Sequence, residues 1–238
     1  MLEILKTRTY RHLFLAQVVA LLGTGLATVA LSLLAFDLAG DKAGQVVGTA
    51  MAIKMVAYVF IAPIAAALAE DIPRRVMLVS LDLVRAAVAL ALPFVTEVWE
   101  VYVLIAVLQS ASAAFTPTFQ STIPDTLPNE DDYTRALSLS RLAYDLENLI
   151  SPALAGMLLL VTSWQGLFSG TVVGFIASAL LVVSVALPSG SAPQKHRGIY
   201  ERARRGFRIF MATPRLRGLI ALNVVVSMAG SMVIVNTV

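Results

Sequence analysis

Seven apolar stretches of membrane-spanning length fill this 238-residue chain, at residues 13–36, 44–68, 76–96, 98–123, 137–161, 166–187 and 218–238. A hydrocarbon core about 30 Å thick takes roughly 20 apolar residues per helical crossing, and each stretch meets that length. A soluble helix carries one apolar stripe and one polar face. These segments are apolar on all sides, so lipid or neighbouring spans must cover every face. The expected class is an all-α, multi-pass membrane protein. The first stretch is longer than a signal-peptide core and lacks a small-residue cleavage pattern followed by a soluble domain, so it reads as a retained span.

Charge is scarce and unevenly placed. Charged residues make up 14% of the chain, against about 25% in ordinary soluble domains. Excess Lys and Arg mark loops retained in the cytoplasm. Lys6, Arg8 and Arg11 precede the first stretch, Arg74 and Arg75 follow the second, and Arg135 and Arg141 follow the fourth. Lys195, Arg197, Arg202, Arg204, Arg205, Arg208, Arg215 and Arg217 follow the sixth. The turns between hold only Lys42. The alternation predicts a plasma (inner) membrane protein with its N-terminus, and the loop after the sixth stretch, in the cytoplasm. The acidic segment 125–132 lies on the same side, where Asp and Glu weigh little in the bias. Topology thus accounts for the net charge of +3, and no nucleic-acid partner is expected. The absence of cysteine excludes disulfides and thiolate metal sites, and no P-loop pattern occurs. No catalytic residue, cofactor or metal is expected.

The chain divides into six spans over 1–188, a basic cytoplasmic loop over 189–217 and a seventh span over 218–238. The loop opens on the helix breakers Pro188 and Pro193. It then runs at helical period, with Tyr200, Ala203, Phe207 and Phe210 on one face and Arg204, Arg205 and Arg208 on others. It fits either a solvated loop that holds topology or a helix lying on the anionic inner leaflet. Trp99, Tyr102 and Trp164 fit an interfacial aromatic belt.

Three motifs resemble the major facilitator superfamily. Between the second and third stretches, Ala66 to Arg75 runs Ala-Ala-Leu-Ala-Glu-Asp-Ile-Pro-Arg-Arg. The superfamily pattern there is Gly-x-x-x-Asp-Arg-x-Gly-Arg-Arg. Arg74 and Arg75 match, Glu70 keeps the carboxylate, and Ala66, Asp71 and Pro73 depart from it. The resemblance implies a charged gating latch made of Glu70, Asp71, Arg74 and Arg75, consistent with the bidentate contacts guanidinium groups make. The alternative is that the arginines only hold the loop inside. In the fifth stretch Ser151-Pro152-Ala153-Leu154-Ala155-Gly156 looks like the Gly-Pro-x-x-Gly-Gly signature of drug and proton antiporters, with Pro152 and Gly156 identical and Ser151 and Ala155 preserving small size. Small residues permit close helix approach. The string Phe115 to Asp125, followed by Ala136 to Ser140, is similar to the macrolide-efflux and enterobactin-exporter branch.

Charges at membrane depth cost about 2.5–3.5 kcal/mol and are functional candidates by default. Lys54 lies near the middle of the second stretch with no local partner, and both snorkelling and contact with substrate remain open. Arg85 in the third stretch lies one turn from Asp82, a spacing that permits an ion pair. Gln109 stands where many superfamily members carry an arginine. Asp145 and Glu147 can pair with Arg141 or act in cytoplasmic gating. Gly23, Gly25, Gly44 and Gly48 suggest close packing.

The resemblance implies a six-helix half of two inverted three-helix repeats, plus a seventh helix. It implies alternating access and export of a small drug- or siderophore-like molecule, with protons as the coupling ion. Lys54, Arg85, Asp82 and Gln109 are the cavity candidates. The expected partners are the bilayer, the substrate, protons, and a missing C-terminal half or a second copy. The alternative is a truncated or half-size membrane protein without independent transport.

Overall fold

The computed structural model describes residues 2–68 and 72–187, with Arg208, Ala212, Thr213, Pro214 and Gly218. The chain divides into a unit of residues 1–193 and a second of 194–238, and the helices below belong to the first. Glu70 and Asp71 lie outside the described residues. So do the 189–217 loop and the 218–238 span, apart from the five positions just named.

Six long helices follow one another: α1 (Arg8–Ala39), α2 (Ala43–Leu68), α3 (Arg74–Ala91), α4 (Val98–Thr126), α5 (Glu130–Leu159) and α6 (Trp164–Val183). Among the described residues, four stretches are long and apolar enough to cross a membrane: Arg8–Leu68, Arg74–Phe94, Val98–Thr126 and Trp164–Val183. The first has 61 residues, about 90 Å of helix at 1.5 Å per residue, or about three bilayer cores. It doubles back at Gly40 and so comprises α1 and α2. Helix α5 has the length, at 30 residues, but Asp145 and Glu147 interrupt its apolar run.

Local chemistry sets the ends. Gly40 closes α1 at φ 51° and donates its N–H to the Phe36 carbonyl. Any other L-residue would strain this turn by roughly 1–2 kcal/mol. Glu100 reaches back from the first turn of α4 to accept the N–H groups of Thr96 and Glu97 at 2.9 and 3.0 Å, one half of a capping box. Asn129 caps α5 by accepting the Asp131 N–H at 2.9 Å. Glu130, Asp131 and Asp132 fill the first turn of α5, where carboxylates complement the positive end of the helix dipole. The acidic segment 125–132 thus ends in a helix start.

Helix α1 packs chiefly on α6 and then on α5, α2 on α4, and α3 on both α4 and α6. Small residues set the closest approaches. A Cβ on Gly174 would lie 3.2 Å from both the Gly23 Cα and the Val19 carbonyl, and the Thr171 hydroxyl donates to the Gly23 carbonyl at 3.0 Å. Gly25 makes the same kind of room for α5. Gly44 and Gly48, expected to pack closely, have no described atom within 4 Å of where a Cβ would stand.

The buried apolar side chains fall into two main clusters, one at each end of the bundle. One gathers Ala20–Ala35 positions of α1 with Val46, Ala50, Ala86–Leu92, Val101–Leu108 and Leu167–Phe175. The other gathers Ile4, Tyr10, Leu13, Ala16, Leu78, Phe115–Leu127, Ala136, Leu139 and Val182. Between them every helix contributes polar side chains: Gln17, Lys54 and Tyr58, Asp82 and Arg85, Ser112 and Thr116, Ser140 to Ser151, and Ser178. The bundle thus has a polar layer at mid-depth.

Candidate functional site

The polar layer divides into a sealed half and an open half. In the sealed half, Asp82 is 0% and Arg85 3% exposed, and the Arg85 Nη2 donates to the Asp82 Oδ1. The Ser178 hydroxyl of α6 donates to the second Asp82 oxygen at 2.7 Å. The Arg85 guanidinium lies between two phenyl faces, 4.2 Å from the Phe115 centroid and 4.5 Å from that of Phe175. A carboxylate, a hydroxyl and two ring faces thus surround one buried cation.

The other half is made of side chains from α2, α4 and α5. Lys54 sits near the middle of α2 and Glu147 just past the middle of α5, each half-buried. The Lys54 ammonium lies within electrostatic reach of the Glu147 carboxylate, yet no ion pair within 4.0 Å joins them. The Glu147 Oε1 stands 2.9 Å from where a Cβ on Gly25 would be. The missing Gly25 side chain therefore lets that carboxylate settle against α1. Thr116 and Tyr144 share a hydrogen bond of 3.2 Å between their hydroxyls, and Tyr58 approaches the same Thr116 hydroxyl. Both tyrosines lie within electrostatic reach of Arg85, which links the two halves.

Of the expected cavity residues, Lys54, Asp82 and Arg85 lie in this layer, and Asp82 and Arg85 touch. Gln109 is half-buried on α4, two turns from Thr116, and makes no hydrogen bond among the described residues. Glu147 turns toward Gly25 and Lys54, whereas Asp145 pairs with Arg141 at 3.4 Å. Sequence reasoning left Tyr58, Thr116, Tyr144 and Glu147 out of the cavity. The signal was available, because Ser140, Tyr144, Glu147 and Ser151 recur at helical spacing along one face of α5. Lys54 and Tyr58 do so on α2.

The loop arginines bind within the unit. Arg74 donates to the Ser121 hydroxyl at 2.8 Å and to Asp125 at 3.4 Å, tying the start of α3 to the end of α4. Arg75 donates to the Val183 carbonyl, one of the acceptors a helix C-terminus leaves unpaired. In the fifth-stretch motif, Ser151 and Ala155 are buried, while Pro152 and Gly156 face outward.

A sequence model of the Major Facilitator Superfamily matches residues 13–238. An "Uncharacterized MFS-type transporter YfiS" of Bacillus subtilis (strain 168) is 24% identical over 172 residues, 70% of this chain. The aligned part is 41% of that relative's own length.

Proposed function

The chain belongs to the Major Facilitator Superfamily, and from that premise we propose that it serves the export of a small drug- or siderophore-like molecule by alternating access, coupled to inward proton movement. It is a multi-pass integral membrane protein, and its family is one of transporters rather than enzymes. The proposed architecture is two inverted three-helix repeats, α1–α3 and α4–α6, moving as one body, with a seventh span after the basic loop. The proposed setting is the plasma membrane, with the N-terminus cytoplasmic. A second six-helix body, from further chain or from a second copy, supplies the facing wall.

The observation that supports this reading is the polar layer. Lys54 and Glu147 lie near the middle of their helices with no ion pair between them, and a charge held at membrane depth is costly unless it serves a polar pathway. The test uses protein in proteoliposomes loaded with a fluorescent drug or labelled siderophore, with and without an imposed pH gradient. The expected result is gradient-accelerated efflux that a protonophore abolishes. Absence of flux from correctly inserted protein overturns the transport reading, and flux indifferent to the gradient removes the proton.

A further inference from the structure

Helix α6 packs on both α1 and α3, and its exposed side is an apolar stripe. Val173, Ile176, Leu180 and Val183 recur there at helical spacing. The stripe ends where α1 and α3 begin. The His12 ring of α1 bonds the Ser184 hydroxyl at 2.6 Å, and Arg75 of α3 donates to the Val183 carbonyl. Close to these two contacts, α1 exposes Leu15 and α3 exposes Val76.

Cations collect at the same level. Arg8 and Arg11 lie within one turn of His12, and both are exposed, as is Arg75. None of the three joins an ion pair among the described residues, whereas Arg74 is taken by Asp125 and Arg135 by Asp132. Arg75 commits to Val183 one of the five N–H donors of its guanidinium. The carbonyls of a helix C-terminus repel anions, but three of the last four in α6 are already used. Leu180 accepts the Ser184 N–H at 2.9 Å, Leu181 the Ser184 hydroxyl at 2.6 Å, and Val183 the Arg75 guanidinium.

An apolar stripe in a bilayer calls for hydrocarbon, and unspent guanidinium groups at its end call for a phosphate. Holding topology needs those charges on one side of the membrane, but not their placement around the end of the stripe. We propose that α1, α3 and α6 hold one anionic phospholipid, with its chains along the α6 stripe and its phosphate among Arg8, Arg11 and Arg75. This goes beyond the transport reading and needs only that the chain sits in a bilayer.

Native mass spectrometry of the purified chain, titrated with lipid in neutral detergent, counts the bound molecules and gives their affinity. One phosphatidylglycerol per chain is expected to bind at least about tenfold more tightly than phosphatidylcholine, whose choline cancels the phosphate charge. R8Q, R11Q and R75Q should each weaken phosphatidylglycerol about fivefold, the share of one arginine near an anionic surface. R135Q should leave it unchanged, because Asp132 already holds that charge. R75K should keep most of the affinity, which separates loss of charge from damage to the end of α6. Equal affinity for the two lipids overturns the proposal. So does a loss in R135Q equal to that in R75Q, which marks diffuse attraction to a basic surface, or a loss in R75K equal to that in R75Q. Displacement of the lipid by inorganic phosphate beyond that caused by sodium chloride of equal ionic strength overturns the lipid as occupant. Lipid is counted without substrate or gradient, so absent flux beside selective binding would sink the transport reading and leave this one standing. Gradient-driven flux with no preference between the lipids would do the opposite.

Discussion

Asp82 with Arg85, and Lys54 with Glu147, are two cation–carboxylate pairs at one depth of the same bundle, and they are built differently. The first pair sits on a single helix one turn apart and is flanked by Ser178, Phe115 and Phe175. The second spans two helices that do not pack on each other, and its members feel each other without touching. A buried pair whose members satisfy one another contributes to architecture, because removing either partner strands a charge. A pair that is separated and half-exposed contributes little to holding helices together and keeps its hydrogen-bonding capacity for something else. Charge at membrane depth is therefore not by itself a mark of function, and what surrounds it decides.

The sharpest way to break that contrast is to remove one member of each pair. Arg85→Met or Asp82→Asn leaves an uncompensated buried charge, expected to cost about 3–5 kcal/mol, measured by denaturant or thermal unfolding in detergent micelles. The double variant D82N/R85Q should recover most of that loss. Lys54→Met and Glu147→Gln should change stability by less than about 1 kcal/mol while impairing transport in proteoliposomes. If K54M unfolds the protein as readily as R85M, both pairs are structural and the distinction fails.

The glycines sharpen the same comparison one step down. A Cβ on Gly25 would overlap Ser151 and press on the Glu147 carboxylate. Gly25→Ala should therefore cost about 1–3 kcal/mol through overpacking and also displace one member of the open pair, lowering transport. Gly44→Ala meets nothing and should be neutral, or stabilising by up to about 1 kcal/mol from helix propensity. Equal effects at the two sites would mean that Gly25 does not set the position of Glu147.

Solvent class and helix order were legible in the sequence, because lipid demands long apolar runs. The Asp82–Arg85 contact was legible for a similar reason, since both residues lie on one helix at fixed spacing. The counterpart of Lys54 was not. Glu147 is 93 residues further along the chain (147 less 54), and no local rule says which face of α5 meets which face of α2. The polar stripe from Ser140 to Ser151 was visible as a stripe, but its direction is a property of packing. The four matched glycines show the same limit. Their composition is alike, yet Gly23 and Gly25 are contact points and Gly44 and Gly48 are not.

The smallest expected effects concern Arg74 and Arg75, for which the sequence left two readings open, a charge that holds topology or a specific tie. Replacement by lysine separates them, because it keeps the charge and removes the planar fork. Arg74 bonds Ser121 and Asp125 through different nitrogens, and a single ammonium cannot reproduce both directions. Arg74→Lys should cost about 1 kcal/mol, with membrane orientation unchanged in a cysteine-accessibility assay. Arg75 is exposed, and its bond to the Val183 carbonyl caps the end of α6. Arg75→Lys should therefore leave global stability nearly unchanged and speed hydrogen exchange only in the last turn of α6, since helix ends open locally before the core does. If both lysine variants match the parent in unfolding and exchange, positive charge alone is what these positions require, and the ties to α4 and α6 carry no weight.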